Sequence, residues 1–241
     1  MSLILDNIKV GYKNKTVVDG LSFTVKEGES LGLAGINGAG KSTTLKAIAG
    51  LIPLNKGVIS LNEFTPKNSI DKEFFKSKIG YCPDVGGIIP SATPKEHINL
   101  LLNLNNAGKD KQKIQEAYDL LEKVNLIEHL DSPCGGFSHG MLRRMSVALA
   151  SFNATELLIL DEPFDGVDPT GVEAIQSIVK EHKEKGHIVI ISSHLINVLA
   201  ESTDKIMVMV GGEVVSYSPA KKFEGYFGNN KYRKLLGVKK K

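Results

Sequence analysis

The chain has 241 residues, 41% hydrophobic and 24% charged, which suits one large or two small soluble domains around a sizeable buried core. A net charge of +3 gives no overall basic surface of the kind nucleic-acid binding demands, so no nucleic-acid partner is expected. The start lacks a basic segment followed by a long apolar core, and no apolar run approaches the ~18 residues that cross a bilayer.

Apolar residues roughly alternate from Leu3 to Tyr12 and again from Val17 to Val25, which predicts two early antiparallel strands. Tyr12 closes the first; an aromatic there could stack on a base, though as a bare signal it reads more readily as packing. After the turn Lys26-Glu27-Gly28-Glu29, a short apolar strand from Leu31 to Ala34 runs into Gly35-Ile36-Asn37-Gly38-Ala39-Gly40-Lys41-Ser42-Thr43. This is the spacing G-x-x-x-x-G-K-S/T of a phosphate-binding loop, and Thr44 to Ala49 reads as the helix that follows, with Gly50 as its stop. Gly35, Gly38 and Gly40 are expected to take positive φ, so that successive N–H groups point at a polyphosphate on the helix N-terminus. Lys41 would reach the β- and γ-phosphates, and the Ser42 hydroxyl would ligate Mg2+.

Residues 51–57 form a turn, and Val58 to Leu61 a short strand. Ile70 to Lys78 is a helix candidate, Ile79 to Cys82 a buried strand, and Pro83 to Ser91 a loop. Thr93-Pro94-Lys95-Glu96 is a capping box with proline at the first helical position, and a second helix is predicted from Lys111 to Val124. With no strand signal between Pro83 and Ala154, residues 84–153 are expected as a helical subdomain inserted into a core made of 1–83 and 154–220. Cys82 and Cys134 lie far apart and outside any CxxC spacing, which suggests neither a metal site nor a disulfide framework and fits a reducing cytosol.

Leu157 to Leu160 is a continuous apolar run ending in Asp161-Glu162, as expected of a strand buried on both faces. A phosphate loop with Mg2+ needs a carboxylate at the tip of a neighbouring strand; Asp161 would hold the metal, and Glu162 would orient or deprotonate the water that attacks the γ-phosphate. Asp168 caps a helix running from Pro169 to Lys185, His187 to Ser192 is a buried strand, Leu195 to Glu201 a helix, and Lys205 to Val210 and Val214 to Tyr217 are strands. Strands alternating with helices imply a largely parallel sheet whose ligand lies at the carboxyl ends of the strands, where Gly35, Asp161 and His194 fall. From Lys221 onward the composition is basic and aromatic, ending Lys239-Lys240-Lys241, which reads as a solvated, frayed tail.

With Phe137-Ser138-His139-Gly140-Met141-Leu142-Arg143-Arg144 added, the sequence resembles the ATP-binding cassette (ABC) ATPases over nearly its whole length. That segment is similar to the family signature LSGGQ, with Phe137 for Leu, His139 for the first Gly and Met141 for Gln. The resemblance implies an α/β P-loop NTPase fold with a mixed, largely parallel central sheet, an N-terminal antiparallel β subdomain and an inserted helical subdomain. It also implies that Ser138 and Gly140 act in trans on the ATP of a second cassette, identical or not, making two composite sites per dimer. His194 matches the switch histidine on the γ-phosphate, Tyr12 matches the aromatic that stacks on adenine, and Asp165 to Asp168 match the loop after the acid pair, with Asp165 where serine is common. Asp84 stands where the family has glutamine; shorter and anionic, it reaches Mg2+ only through water or a moved loop.

The function so implied is that of an ATPase subunit, dependent on ATP and Mg2+, which powers transport through a separate membrane-spanning permease. The permease would dock near Asp84 and the helical subdomain, holding the chain on the inner face of the cell membrane. The Ser-x-Gly-Met signature and brief tail resemble exporter subunits more than sugar importers. A soluble single-cassette ATPase acting in iron–sulfur cluster assembly or in another non-transport role is the alternative. A P-loop kinase or GTPase is disfavoured by residues 137–144 and by the lack of an NKxD-like base reader.

Overall fold

The computed structural model describes residues 2–13 and 15–237. The chain opens with β1 (Ser2–Tyr12) and β2 (Lys15–Lys26), followed by β3 (Ser30–Ala34), α1 (Lys41–Ile48) and β4 (Lys56–Leu61). α2 (Ser69–Ser77) and β5 (Ile79–Cys82) lead to three longer helices, α3 (Pro94–Leu104), α4 (Lys111–Lys123) and α5 (His139–Asn153). The second half runs β6 (Leu157–Asp161), α6 (Pro169–Glu184), β7 (Ile188–Ser193), α7 (Ile196–Ser202), β8 (Lys205–Val210), β9 (Glu213–Pro219) and α8 (Gly225–Leu235).

Two sheets result. β2-β1-β4 is antiparallel, and β5-β6-β7-β3-β8-β9 is parallel except for the β8–β9 hairpin at its edge. The burial patterns explain which strands go where. β2 alternates buried and exposed positions along its second half, as a strand with one wet face must, whereas every residue of β3, β6 and β7 is buried, as parallel strands covered on both sides require.

The parallel sheet divides the interior into two cores by strict side-chain alternation. Leu158, Leu160, Val189 and Ile191 face the helices α3 to α8, while Leu157, Ile159, Ile188 and Ile190 face α1 and the antiparallel sheet. Local signals set the helix starts. The Thr93 capping box forms as predicted, with Glu96 N donating to Thr93 Oγ1 at 3.2 Å and Thr93 N to Glu96 Oε2 at 2.8 Å, and the Asp168 carboxylate accepts from Gly171 N at 3.1 Å. Where α5 crosses β5, a Cβ on Gly80 would lie 1.9 Å from the carbonyl oxygen of Ala150, so only glycine permits that approach.

Three expectations need correction. Residues 221–235 are not a frayed tail: a short turn of 3-10 helix and α8 pack back on α7, with Phe223 fully buried and Tyr232 6% exposed. Two large aromatic surfaces outweigh the basic composition; Lys239-Lys240-Lys241 lie outside the described residues. Gly35 does not take positive φ. Glycine is needed there because a Cβ would stand 2.6 Å from the Met209 carbonyl oxygen and 2.9 Å from the Ala39 Cβ. Third, Asp161 is not on a strand next to β3, because β7 lies between β3 and β6.

Candidate functional site

The carboxyl ends of β3, β6 and β7 converge with the N-terminus of α1. Gly38 (φ 83°) and Gly40 (φ 101°) take the left-handed turns that curl the loop over the helix end, and Gly40 is the N-cap of α1. The first N–H groups of that helix have no intrahelical acceptor, which makes the loop an anion cradle. Asn37 is exposed on it, Ala39 is buried at its base, and Thr43 is buried in α1.

Lys41 is buried beneath the loop. Its ammonium donates to the Gly35 carbonyl at 2.7 Å and lies 3.1 Å from Glu162 Oε1. Ser42 donates to Asp161 Oδ1 at 3.1 Å, and Ser192 donates to the same oxygen at 2.5 Å. Ser192 is what makes the intervening β7 useful: its hydroxyl also accepts from Glu162 N at 3.0 Å, so one side chain seats both acids. Its sequence signal was faint, a pair of serines closing an apolar strand.

Glu162 is a non-glycine residue at φ 50°, a strained conformation that turns its side chain back toward Lys41. Its Oε2 accepts from His194 N at 3.2 Å and lies 3.0 Å from His194 Nδ1. Burial pushes the Asp161 carboxyl upward, opposed by its bonds from Ser192 and Ser42. Burial likewise raises the Tyr81 phenol, with Asp161 adding to the shift, and among the described residues Tyr81 Oη has no hydrogen-bond partner. Tyr12 ends β1 and is 45% exposed.

The donor set fits Mg2+. Among the described residues Asp161 Oδ2 is buried with no hydrogen-bond partner, while Oδ1 accepts from the Ser42 and Ser192 hydroxyls, which sets the Ser42 oxygen and the free carboxylate oxygen side by side as hard ligands. Among the described residues no three His, Cys, Asp or Glu side chains form a metal cluster.

Ser138 and Gly140 lie apart from this constellation. Ser138 caps α5, accepting from Met141 N at 3.2 Å, and the helix end rests on the loop after Glu162, where a Cβ on Gly140 would come 2.8 Å from the Gly166 carbonyl oxygen. Among the described residues no hydrogen bond or ion pair joins Ser138 or Gly140 to residues 35–43. His139 is exposed, with Nε2 3.9 Å from Asp165. Asp84 pairs with Arg143 of α5 at 3.2 Å, and its charge also raises the Asp161 carboxyl. Sequence reasoning also missed Tyr232, which packs in the same core as Ala34, the residue before the phosphate loop, with its phenol against the Gly35 backbone.

A family profile described as ABC transporter matches residues 18–165. The chain is 36% identical over 211 residues to the linearmycin resistance ATP-binding protein LnrL of Bacillus subtilis, spanning 88% of this chain and 67% of that one. It is 30% identical over 229 residues to the ABC-type transporter ATP-binding protein EcsA of the same organism, covering 95% and 92%. Among solved structures, the ATP-binding subunit of an ABC transporter superposes with a TM-score of 0.82 at 27% identity, over 99% of this chain and 94% of the other.

Proposed function

The chain belongs to the ABC transporter ATP-binding family, and from that premise we propose that it hydrolyses ATP to power export through a separate membrane-spanning permease. The observation that carries the reading is the joint seating of Lys41, Ser42, Asp161, Glu162 and His194 at one end of the parallel sheet.

Roles follow from position. The loop from Gly35 to Thr43 wraps the phosphates with its N–H groups, and Lys41 neutralises their charge. Ser42 and Asp161 would hold Mg2+, which would supply charge neutralisation for the phosphates. Glu162 orients the water and accepts its proton, His194 contacts the γ-phosphate, and Tyr12 offers its exposed ring to adenine. Among the described residues no hydrogen bond or ion pair joins Ser138 or Gly140 to residues 35–43, which supports their serving the ATP of a second cassette, identical or not. Two cassettes close when triphosphate bridges them and part when it is cleaved.

Force would pass to the permease through residues 84–91 and the helical segment. A cavity of about 330 Å3 opens there between Val85, Ile88, Pro90, Cys134 and Leu142, and Val85 is almost wholly exposed. An apolar pocket of this kind suits a short helix of a membrane partner. No helix among the described residues is long and apolar enough to cross a membrane, so the bilayer path would lie in the partner, with this chain held on its inner face. Similarity to a resistance protein supports export as the direction. Purification of the tagged chain from membranes tests the proposal. A copurifying polytopic protein that stimulates Mg2+-dependent ATP turnover is expected; a soluble scaffold in its place, or strong preference for GTP, would overturn it.

A further inference from the structure

The aspartate at position 84 has a partner that accounts for it. Arg143, on the second turn of α5, has a side chain only 4% exposed. Its guanidinium reaches the loop after β5, where Nη1 donates to the Pro83 carbonyl at 2.8 Å and Nη2 to the Asp84 carbonyl at 2.5 Å and to Asp84 Oδ1 at 3.2 Å. Nη1 also approaches the main-chain carbonyl of Asp161 at 3.5 Å. A cation so far from water needs acceptors and an anion around it, and among the described residues Asp84 is the carboxylate that pairs with it. A glutamine there would offer a dipole and leave the buried charge uncompensated.

We propose that Asp84 is a positioning residue committed to Arg143 rather than to the metal, and that the pair latches the helix bearing Ser138 and Gly140 onto the ends of β5 and β6. This rests on the reading of the chain as an ABC ATPase. One guanidinium spans three carbonyls on two strand ends, so tilting α5 breaks its bonds to the loop and to Asp161 together. The N-terminus of the same helix sits against Gly166, on the loop that leaves Glu162. The latch therefore fixes two directions at once: where Ser138 and Gly140 face, and where Asp161 sits relative to Ser42.

The test uses Asp84→Asn and Arg143→Gln, alone and combined, in the complete chain, measuring ATP turnover against ATP and against Mg2+, with unfolding midpoints taken without nucleotide. Each single variant should lower kcat about fivefold while KM for ATP and the half-saturating Mg2+ change less than about twofold, and the double variant should lose no more than the worse single one. A tenfold higher Mg2+ requirement for Asp84→Asn would make Asp84 a metal ligand and overturn the latch, as would losses that multiply in the double variant. If Arg143→Gln fails to fold, Arg143→Lys carries the same cycle. Absence of ATP turnover in the unaltered chain would overturn the ATPase reading instead. The unfolding midpoints, which need no nucleotide, would then decide the latch by coupling for it or additivity against it.

Discussion

Lys41 and Glu162 meet at 3.1 Å with both side chains at most 10% exposed, although one closes the phosphate loop and the other follows β6 across the sheet. Glu162 holds His194 with its second oxygen, so one carboxylate joins the Lys41 ammonium to the His194 imidazole. Its left-handed backbone, φ 50°, is what lets it face both.

Glu162→Gln keeps the size of the side chain and removes the charge that makes it a base. ATP should still bind, turnover should fall to background, and an ATP-dependent dimer should accumulate, visible by light scattering with and without ATP. Hydrolysis at the unaltered rate would remove Glu162 from its proposed role.

Lys41→Ala removes a buried cation and leaves Glu162 without its ion-pair partner. The loss should reach roughly 3 kcal/mol of phosphate stabilisation, on the order of a hundredfold in nucleotide affinity or turnover. Titration with a fluorescent ATP analogue measures it, and near-normal affinity with near-normal turnover would contradict the site.

The His182 cluster, distant from the phosphate loop along the chain, predicts acid sensitivity. Its imidazole is buried, with Nε2 2.7 Å from Ser151 Oγ and Nδ1 2.9 Å from His187 Nδ1. Burial and the His187 ring push its pKa down from 6.5 to about 4. Above about pH 6.5 neither folded nor unfolded chain is protonated there. As pH falls below that value the unfolded chain takes a proton the folded one refuses, so stability declines until pH is near 4, by on the order of 3 kcal/mol. Urea unfolding at pH 7.5, 5.5 and 4.5 should show this decline, and His182→Asn should flatten it.

Tyr232 tests whether the C-terminal helix is structural. Tyr232→Ala should destabilise by about 3 kcal/mol through the cavity it leaves, and Tyr232→Phe by less than about 1 kcal/mol, because it keeps the buried ring. Hydrogen exchange should find amides of residues 228–235 protected. Rapid exchange there, with neither variant changing stability, would restore the picture of a loose end.

Much of the site could be read directly because its chemistry is local in sequence. The spacing from Gly35 to Ser42, the acids after Leu157 to Leu160, and the Thr93 and Asp168 caps all act through neighbours a few residues away, so their signals survive without knowledge of the fold. The alternation that separates Leu158 from Ile159 onto opposite faces is local in the same way.

What the fold alone decided are contacts between residues far apart in the chain. No periodicity reveals that β7 separates β3 from β6, that Ser192 therefore bridges Asp161 and Glu162, or that Arg143 finds Asp84 59 positions earlier. Charge composition marks residues from 221 as solvent-loving, yet Phe223 and Tyr232 bury themselves because an apolar surface on α7 waits for them. Sequence by itself determined the phosphate-loop spacing, the acid pair that ends β6 and the caps that start α3 and α6. Strand order and packing determined which side chains hold those groups in place, because such positions are set by what meets across the core rather than by what lies next along the chain.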